Sequence, residues 1–375
     1  MKVIVVGTGI VGASAAYHLA KNNLDVIMID KKQEGKATSA GAGIVCPWMK
    51  EIENETWYSL AKNSFGFYQT LISALQEEDE NEVGYKKVGA LCVSSDPVKL
   101  DEIEERVKNK RVDAPEIGDI LRLNGEQARE FFPPLNKNLE ALYVSGGARV
   151  DGSLLRDALK RAAVRNGAEF VEGEAELVHE NRKVIGVTVD NKTILADRVL
   201  ITTGAWAPKL LEPFGIYLNV NPQRGQIAHI KLSEQDTSDW PIIIPQSTHY
   251  IVPFDEGKIV AGATRETGSG FDYRLTAGGV NEVLTEALEV APGLEEGTLE
   301  EVRIGFRPMA PDILPILGTV DTLEGVLLAT GLGPSGLTMG PYVGRLAASL
   351  IQDEEIDLDL TPCRPGRAIE MKKYV

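Results

Sequence analysis

The chain has 375 residues, 43% hydrophobic and 25% charged, with 39 Lys plus Arg against 55 Asp plus Glu and a formal net charge of −16. That balance argues against nucleic acid and anionic membrane surfaces as partners, and the length implies two domains with a large core. Three cysteines, Cys46, Cys92 and Cys363, with no C-x-x-C spacing and no His/Cys cluster, argue against a disulfide framework or a zinc site and fit a reducing compartment.

Lys2–Val6 is a short run rich in β-branched residues, the pattern of a parallel strand buried on both faces. Gly7-Thr8-Gly9-Ile10-Val11-Gly12 follows at once, then a helical pattern over Ala13–Lys21, an apolar strand over Leu24–Ile29 and Asp30 at its end. Gly7 permits the tight turn, Gly9 lets backbone approach a pyrophosphate, and Gly12 lets the helix pack closely on the sheet. The helix N-terminus then turns unpaired N–H groups and its positive dipole end toward phosphate. Asp30 stands where a carboxylate accepts from an adenosine ribose diol and repels a 2′-phosphate, which disfavours NADP. This stretch by itself leaves FAD and NAD both open.

Small uncharged residues fill Ala37–Val45, and a core-packed helix is predicted over Glu55–Leu75. Glu77–Glu82 reads as a solvated acidic loop. Tyr85–Val93 reads as a strand, Asp101–Lys108 as a charged surface helix, Gly125–Phe132 as a helix, and Ala141–Val150 as a strand broken at Gly146-Gly147. A helix over Leu154–Val164 ends at Asn166-Gly167. Short strands follow, and Arg198–Thr202 runs into Thr203-Gly204, a second place where backbone can lie against a nucleotide. Asn219–Ile230 opens a β-rich region. A helix over Val280–Val290 comes next, then a strand over Glu300–Phe306 with Arg307-Pro308 after it. The last buried strand, Gly325–Thr330, leads through Gly331-Leu332-Gly333-Pro334-Ser335-Gly336 into a helix over Leu337–Ile351, and the tail from Thr361 reads as irregular. Val3–Ala20 and Gly325–Gly344 are uncharged runs, but their glycines and prolines argue against membrane spans, so a cytoplasmic protein without a transmembrane segment is expected. Segments of nucleotide-binding type thus bracket a β-rich substrate region.

Taken together these pieces resemble the D-amino-acid oxidase family of FAD-dependent oxidoreductases, in particular its glycine oxidase and D-amino-acid dehydrogenase branch. The resemblance rests on GTGIVG with Asp30, ATSAGAGIV, GGARVDG at 146–152, VLITTGAW, PQRGQI, HYIVP, FRPMAPDILPILG and VLLATGLGPSGLTMGP, spread over nearly the whole chain in the family's order. It implies an α/β, two-domain architecture, with a Rossmann-like FAD-binding domain (1–85, 146–212, 318–375) interleaved with a β-rich substrate domain (86–145, 213–317).

The resemblance also implies site residues. Gly7, Gly9, Ile10, Val11 and Gly12 would hold the pyrophosphate of FAD, with Asp30 and Lys31 at the adenosine and Ala175 at the adenine. Ala37, Thr38, Ala42, Gly43 and Ile44 match the loop along the flavin, and Thr203 and Gly204, at the strand end noted above, are counted with the cofactor-binding residues. Gly331, Leu332, Gly333, Pro334, Ser335, Gly336, Leu337 and Thr338 match the loop and helix start at the isoalloxazine ring. Arg307 matches the arginine that binds a substrate carboxylate, and Tyr250 a tyrosine that adds its hydroxyl. No side chain is assigned as a catalytic base, because the flavin itself carries the reaction. His249 is read as a neighbour, and Trp48 as packing. Two positions depart from glycine oxidases: Pro334 replaces an arginine, and Thr248 a histidine. Phe306-Arg307-Pro308-Met309 lacks the cysteine that tethers flavin in some relatives, so non-covalent FAD is expected.

The implied reaction is oxidation of an amino acid or secondary amine at the α-carbon by hydride transfer to flavin N5, giving an imine. A flavin-dependent 2-hydroxy-acid dehydrogenase, a flavin subunit of a hetero-oligomer and an NAD-linked dehydrogenase are the alternatives. Expected partners are a small-molecule substrate and an electron acceptor (oxygen, a quinone or a protein), with a homo-oligomer possible in principle.

Overall fold

Val3, Ile4, Val5 and Val6 are all buried, and successive residues enter different cores. Val3 and Val5 join the helices on one face of the sheet, while Ile4 and Val6 join the cluster on the other. That two-sided burial is why the run is continuously apolar. A computed structural model describes residues 1–49 and 51–371; residues 372–375, assigned to the FAD-binding domain from sequence, lie outside the described residues. The strand Lys2–Val6 sits inside a six-stranded sheet with the order Ile316–Thr319, Val326–Thr330, Arg198–Ile201, Lys2–Val6, Asp25–Asp30, Glu169–Glu172. Its pairings are parallel except the hairpin of Ile316–Thr319 with Val326–Thr330. Two prolines on the approach to Ile316–Thr319, at 311 and 315, mask the strand pattern there.

Helices Ile10–Lys21, Gly152–Arg165 and Gly336–Ile351 share the core of one face. The first and last of these approach closely. A methyl on Gly344 would stand 2.4 Å from the Val11 carbonyl oxygen, and one on Gly340 would stand 2.6 Å from the Ile10 side chain. Gly12 faces the sheet, where a methyl would lie 2.0 Å from the Gly7 carbonyl oxygen.

The second large sheet has nine strands. Its path is Glu266–Thr267, Asn221–Lys231, Lys258–Gly262, Tyr250–Pro253, Ile242–Pro245, Ala90–Ser94, Glu140–Val144, Ile120–Leu123, with Thr298–Met309 pairing along Asn221–Lys231. Helix Ala277–Val290 packs on it through Val283 and Ala287. Among the described residues no helix is long and apolar enough to cross a membrane.

The fold departs from the sequence expectations at several points. Tyr85–Val93 is two strands, Tyr85–Lys87 and Ala90–Ser94, separated at Gly89 (φ +80°) and belonging to different sheets. Ala141–Val150 likewise divides into Glu140–Val144 and Ala148–Val150. The charged helix is longer, Pro97–Arg111, and buries Leu100, Ile103 and Val107 along one face. The tail is not wholly irregular, since Ile369–Met371 pairs with Ile216–Leu218.

The acidic run after the long helix Glu55–Glu77 is not simply solvated either. Glu80 is 4% exposed and accepts hydrogen bonds from Arg161 at 2.5–3.1 Å and from Arg165 at 2.6 Å. Burial favours its neutral form, but the two guanidinium groups outweigh that and hold the carboxyl below its usual value. A depressed folded-state pKa adds stability above the unfolded value (about 4.3 for Glu), and this is lost as pH falls through the folded one. Glu80→Gln is therefore expected to lower the melting temperature at pH 7, with the gap from wild type closing as the pH is taken below about 4. A gap that persists unchanged in acid would contradict the ion-pair account.

Candidate active site

The turn out of the first strand is clamped from two sides. Gly7 takes φ +92° and donates to the Ile29 carbonyl at 2.7 Å, while Thr202 Oγ1 donates to the Gly7 carbonyl at 2.5 Å. A methyl on Gly7 would come within 2.8 Å of the Thr202 backbone, so only glycine fits. Gly9 caps the helix Ile10–Lys21 without a side chain and leaves its N-terminal N–H groups largely unsatisfied. One donor, Ile10 N, reaches Thr38 Oγ1 at 3.1 Å, which ties the helix start to the small-residue loop.

The loop itself is held tightly. Ala37–Ala40 forms a 3-10 turn, and Gly43 (φ +83°) packs so closely that a methyl would lie 1.8 Å from the Val150 carbonyl oxygen. Ile44 accepts from Thr338 Oγ1 at 2.9 Å, linking this loop to the last helix. Gly336–Ile351 contains Pro341, which has no N–H to give the Leu337 carbonyl four residues earlier. The buried Tyr68 hydroxyl donates to that carbonyl instead, and burial pushes the phenol far above its usual pKa. Trp57 Nε1 donates to Ser335 Oγ at 3.3 Å, and Thr330 Oγ1 to the Gly204 carbonyl at 2.9 Å.

These segments enclose a cleft of about 940 Å3. It brings together Gly7, Gly9, Ile10, Val11, Asp30, Lys31, Ala37, Thr38, Ala42, Gly43, Ile44, Ala175, Thr203 and Gly204 with Leu332, Gly333, Pro334, Ser335, Gly336, Leu337 and Thr338, and also with Tyr250 and Arg307. Gly12 and Gly331 do not line it. Gly12 is taken up by contact with Gly7, and Gly331 (φ +74°) turns the chain against Ala310 and Ile316. Trp48 is fully buried against Phe65.

On the cleft lining Asp30 Oδ2 accepts from Thr8 N (3.1 Å) and Thr8 Oγ1 (2.8 Å) and pairs with Lys36 (2.9 Å). Lys36 carries no signal in the sequence, because a lysine in a polar loop is ordinary. Lys31 pairs with Glu174 at 2.8 Å, and Lys209 pairs with the same carboxylate at 2.9 Å. The two ammonium groups hold Glu174 down to about 2.

Arg307 lies within the strand Thr298–Met309 rather than after it, since Pro308 still accepts strand geometry opposite Pro222. Arg307 Nη1 donates to the Thr264 carbonyl at 2.9 Å and to Gln223 Oε1 at 3.3 Å. Burial draws the guanidinium below its usual pKa and raises the Tyr250 hydroxyl, each partly opposed by the other. Arg265 and Thr248, both exposed, stand on the same wall.

The donor set suits a large anionic nucleotide with a flat ring. Two helix N-termini without side-chain caps of their own face one cleft. Thr203 Oγ1 on its wall is buried with no partner among the described residues, a polar atom of the kind a bound group satisfies.

Comparison with known proteins agrees. The family DAO, described as FAD dependent oxidoreductase, matches residues 2–350. YurR of Bacillus subtilis (strain 168), described as an uncharacterized oxidoreductase, is 47% identical over 367 residues, covering 98% of this chain and 99% of its own length. A glycine oxidase of Pseudomonas aeruginosa is 30% identical over 371 residues, 97% of this chain and 98% of its own. The crystal structure of iminodiacetate oxidase (IdaA) from Chelativorans sp. BNC1 superposes with a TM-score of 0.94 at 43% identity, covering 97% of this chain and 98% of that one.

Asp30→Asn removes the charge that Thr8 and Lys36 share. It is expected to weaken FAD binding roughly ten- to a hundredfold, the range of one or two charge-assisted hydrogen bonds at about 1.5–3 kcal/mol. Titration of the apoprotein with FAD, followed by flavin fluorescence, checks this; unchanged affinity would detach Asp30 from the nucleotide.

Proposed function

Because the chain belongs to the DAO family of FAD-dependent oxidoreductases, we propose that it oxidises an amino acid or secondary amine at the α-carbon, with FAD held non-covalently. The observation that carries this reading is the common cleft: Arg307 and Tyr250 open onto the space bordered by the glycine turn and by the start of the last helix. The chemistry that FAD supplies there is acceptance of a hydride from the substrate α-carbon, which leaves an imine for water to hydrolyse.

The chain's own residues bind and orient. In this reading Gly7, Gly9, Ile10 and Val11 receive the pyrophosphate, Asp30 and Lys31 the adenosine ribose, and Ala175 the adenine. The loops at 37–44 and 332–338 border the flavin. The six-stranded sheet carries the cofactor half and the nine-stranded sheet the substrate half. A half-buried guanidinium loses hydration that a carboxylate restores, and its planar fork matches that group. The Tyr250 hydroxyl, kept protonated by burial, donates to the same carboxylate. The amine enters neutral, so positioning of the α-carbon rather than a side-chain base is the protein's contribution. Glycine and iminodiacetate, the substrates named for two similar proteins, both carry a carboxylate one carbon from nitrogen. Pro334 and Thr248, which depart from glycine oxidases, favour a substrate other than glycine. The three cysteines are buried, which fits a cytoplasmic setting.

Anaerobic titration of the yellow holoenzyme with amino acids, secondary amines and 2-hydroxy acids tests the reading. Amines are expected to bleach the flavin bands, and bleaching by hydroxy acids alone would overturn it. Arg307→Ala is expected to raise KM by roughly ten- to a hundredfold, equivalent to about 1.5–3 kcal/mol, while FAD stays bound. An unchanged KM would remove the carboxylate role.

A further inference from the structure

The substrate wall of the cleft carries a second guanidinium. Arg265 is exposed there and near enough to Arg307 and Tyr250 that its positive charge acts on both. Its place is fixed by the first arginine, because the Thr264 carbonyl that accepts from Arg307 at 2.9 Å belongs to the residue immediately before it.

The carboxylates closest to it in the chain are committed elsewhere. Glu266 accepts from Arg224 at 2.5 and 3.0 Å, and from Gln226 and Thr264 at 2.7 Å each. Asp272 is engaged by Arg274 at 2.8 Å and Arg224 at 3.1 Å. Among the described residues Arg265 has neither an ion pair nor a hydrogen bond, in a chain where acids outnumber basic residues 55 to 39. Two like charges on one wall repel, and a single carboxylate on Arg307 leaves the second uncompensated.

We infer that the substrate is an amine bearing two carboxylates, one on each arm of a secondary amine, with Arg307 and Tyr250 holding the carboxylate beside the oxidised carbon and Arg265 the distal one. This deepens the amine-oxidation reading and rests on it. Arg265 is then a specificity-determining residue that touches substrate but takes no part in moving the hydride. The substrate named for the 43% identical iminodiacetate oxidase has this form.

The test uses the FAD-loaded protein and two unreactive ethers, diglycolate with two carboxylates and methoxyacetate with one, each titrated by its perturbation of the flavin absorbance. Wild type is expected to bind diglycolate about tenfold or more tighter than methoxyacetate. Arg265→Gln is expected to erase that preference while methoxyacetate binding stays within about twofold, and Arg265→Lys to restore part of it. In anaerobic flavin reduction, Arg265→Gln should raise KM for iminodiacetate but not for N-methylglycine, with little effect on kcat for either. Equal affinity of wild type for the two ethers, or a parallel loss of both in Arg265→Gln, overturns the second-carboxylate site. A preference for diglycolate that depends on Arg265, in a protein whose flavin no amine reduces, supports the site and overturns amine oxidation instead.

Discussion

The first helix and the last helix meet nearly backbone to backbone. At Gly344 there is room for hydrogen and nothing larger against the Val11 carbonyl, and Gly340 is similarly pressed by Ile10. That contact joins segments more than 300 residues apart in sequence and fixes two helix starts on the same cleft. Each start offers unsatisfied N–H groups and the positive end of a dipole worth up to about 2 kcal/mol when partly buried. Spacing the helices by even one methyl would separate the glycine turn at 7–12 from the loop at 333–338. The geometry of the cleft therefore depends on small residues that themselves contact no ligand.

Around that contact, hydrogen bonds make each wall responsible for another. The Leu337 carbonyl, orphaned by Pro341, is recovered by Tyr68 from the long helix. Thr338 holds Ile44, and Thr38 holds the first helix start. On the other side, Arg307 reaches over the strand Asn221–Lys231 to grip the Thr264 carbonyl. A proline within a helix ordinarily costs about 3 kcal/mol; here the lost bond is replaced, and the replacement fastens the helix start to a third element.

The sequence made the opening strand–helix–strand unit legible because its requirements are local. A strand, three glycines, a helix and an acid at the next strand end must follow one another within thirty residues, and the spacing survives in the chain. The β-rich half was less legible. Tyr85–Lys87 and Ala90–Ser94 look like one strand until Gly89 sends them to different sheets, a decision made by tertiary pairing rather than propensity. Glu80 looked solvated because its partners, Arg161 and Arg165, lie eighty residues away. Gly12 looked like a ligand contact because close helix packing and close phosphate approach both call for glycine. Arg265 gave no signal, since what distinguishes it is the engagement of Glu266 and Asp272 by other arginines, which only the folded chain displays.

The interleaved topology also fixes when the cleft can exist. The glycine turn is made first of the three, yet Thr202, which clamps it, comes nearly two hundred residues later, and the opposing loop at 333–338 later still. No contiguous fragment builds half a working cradle, and contacts of such long sequence separation form slowly. The cleft that these segments border is therefore complete only once the closing helix Gly336–Ile351 has been made, after every strand of the two large sheets.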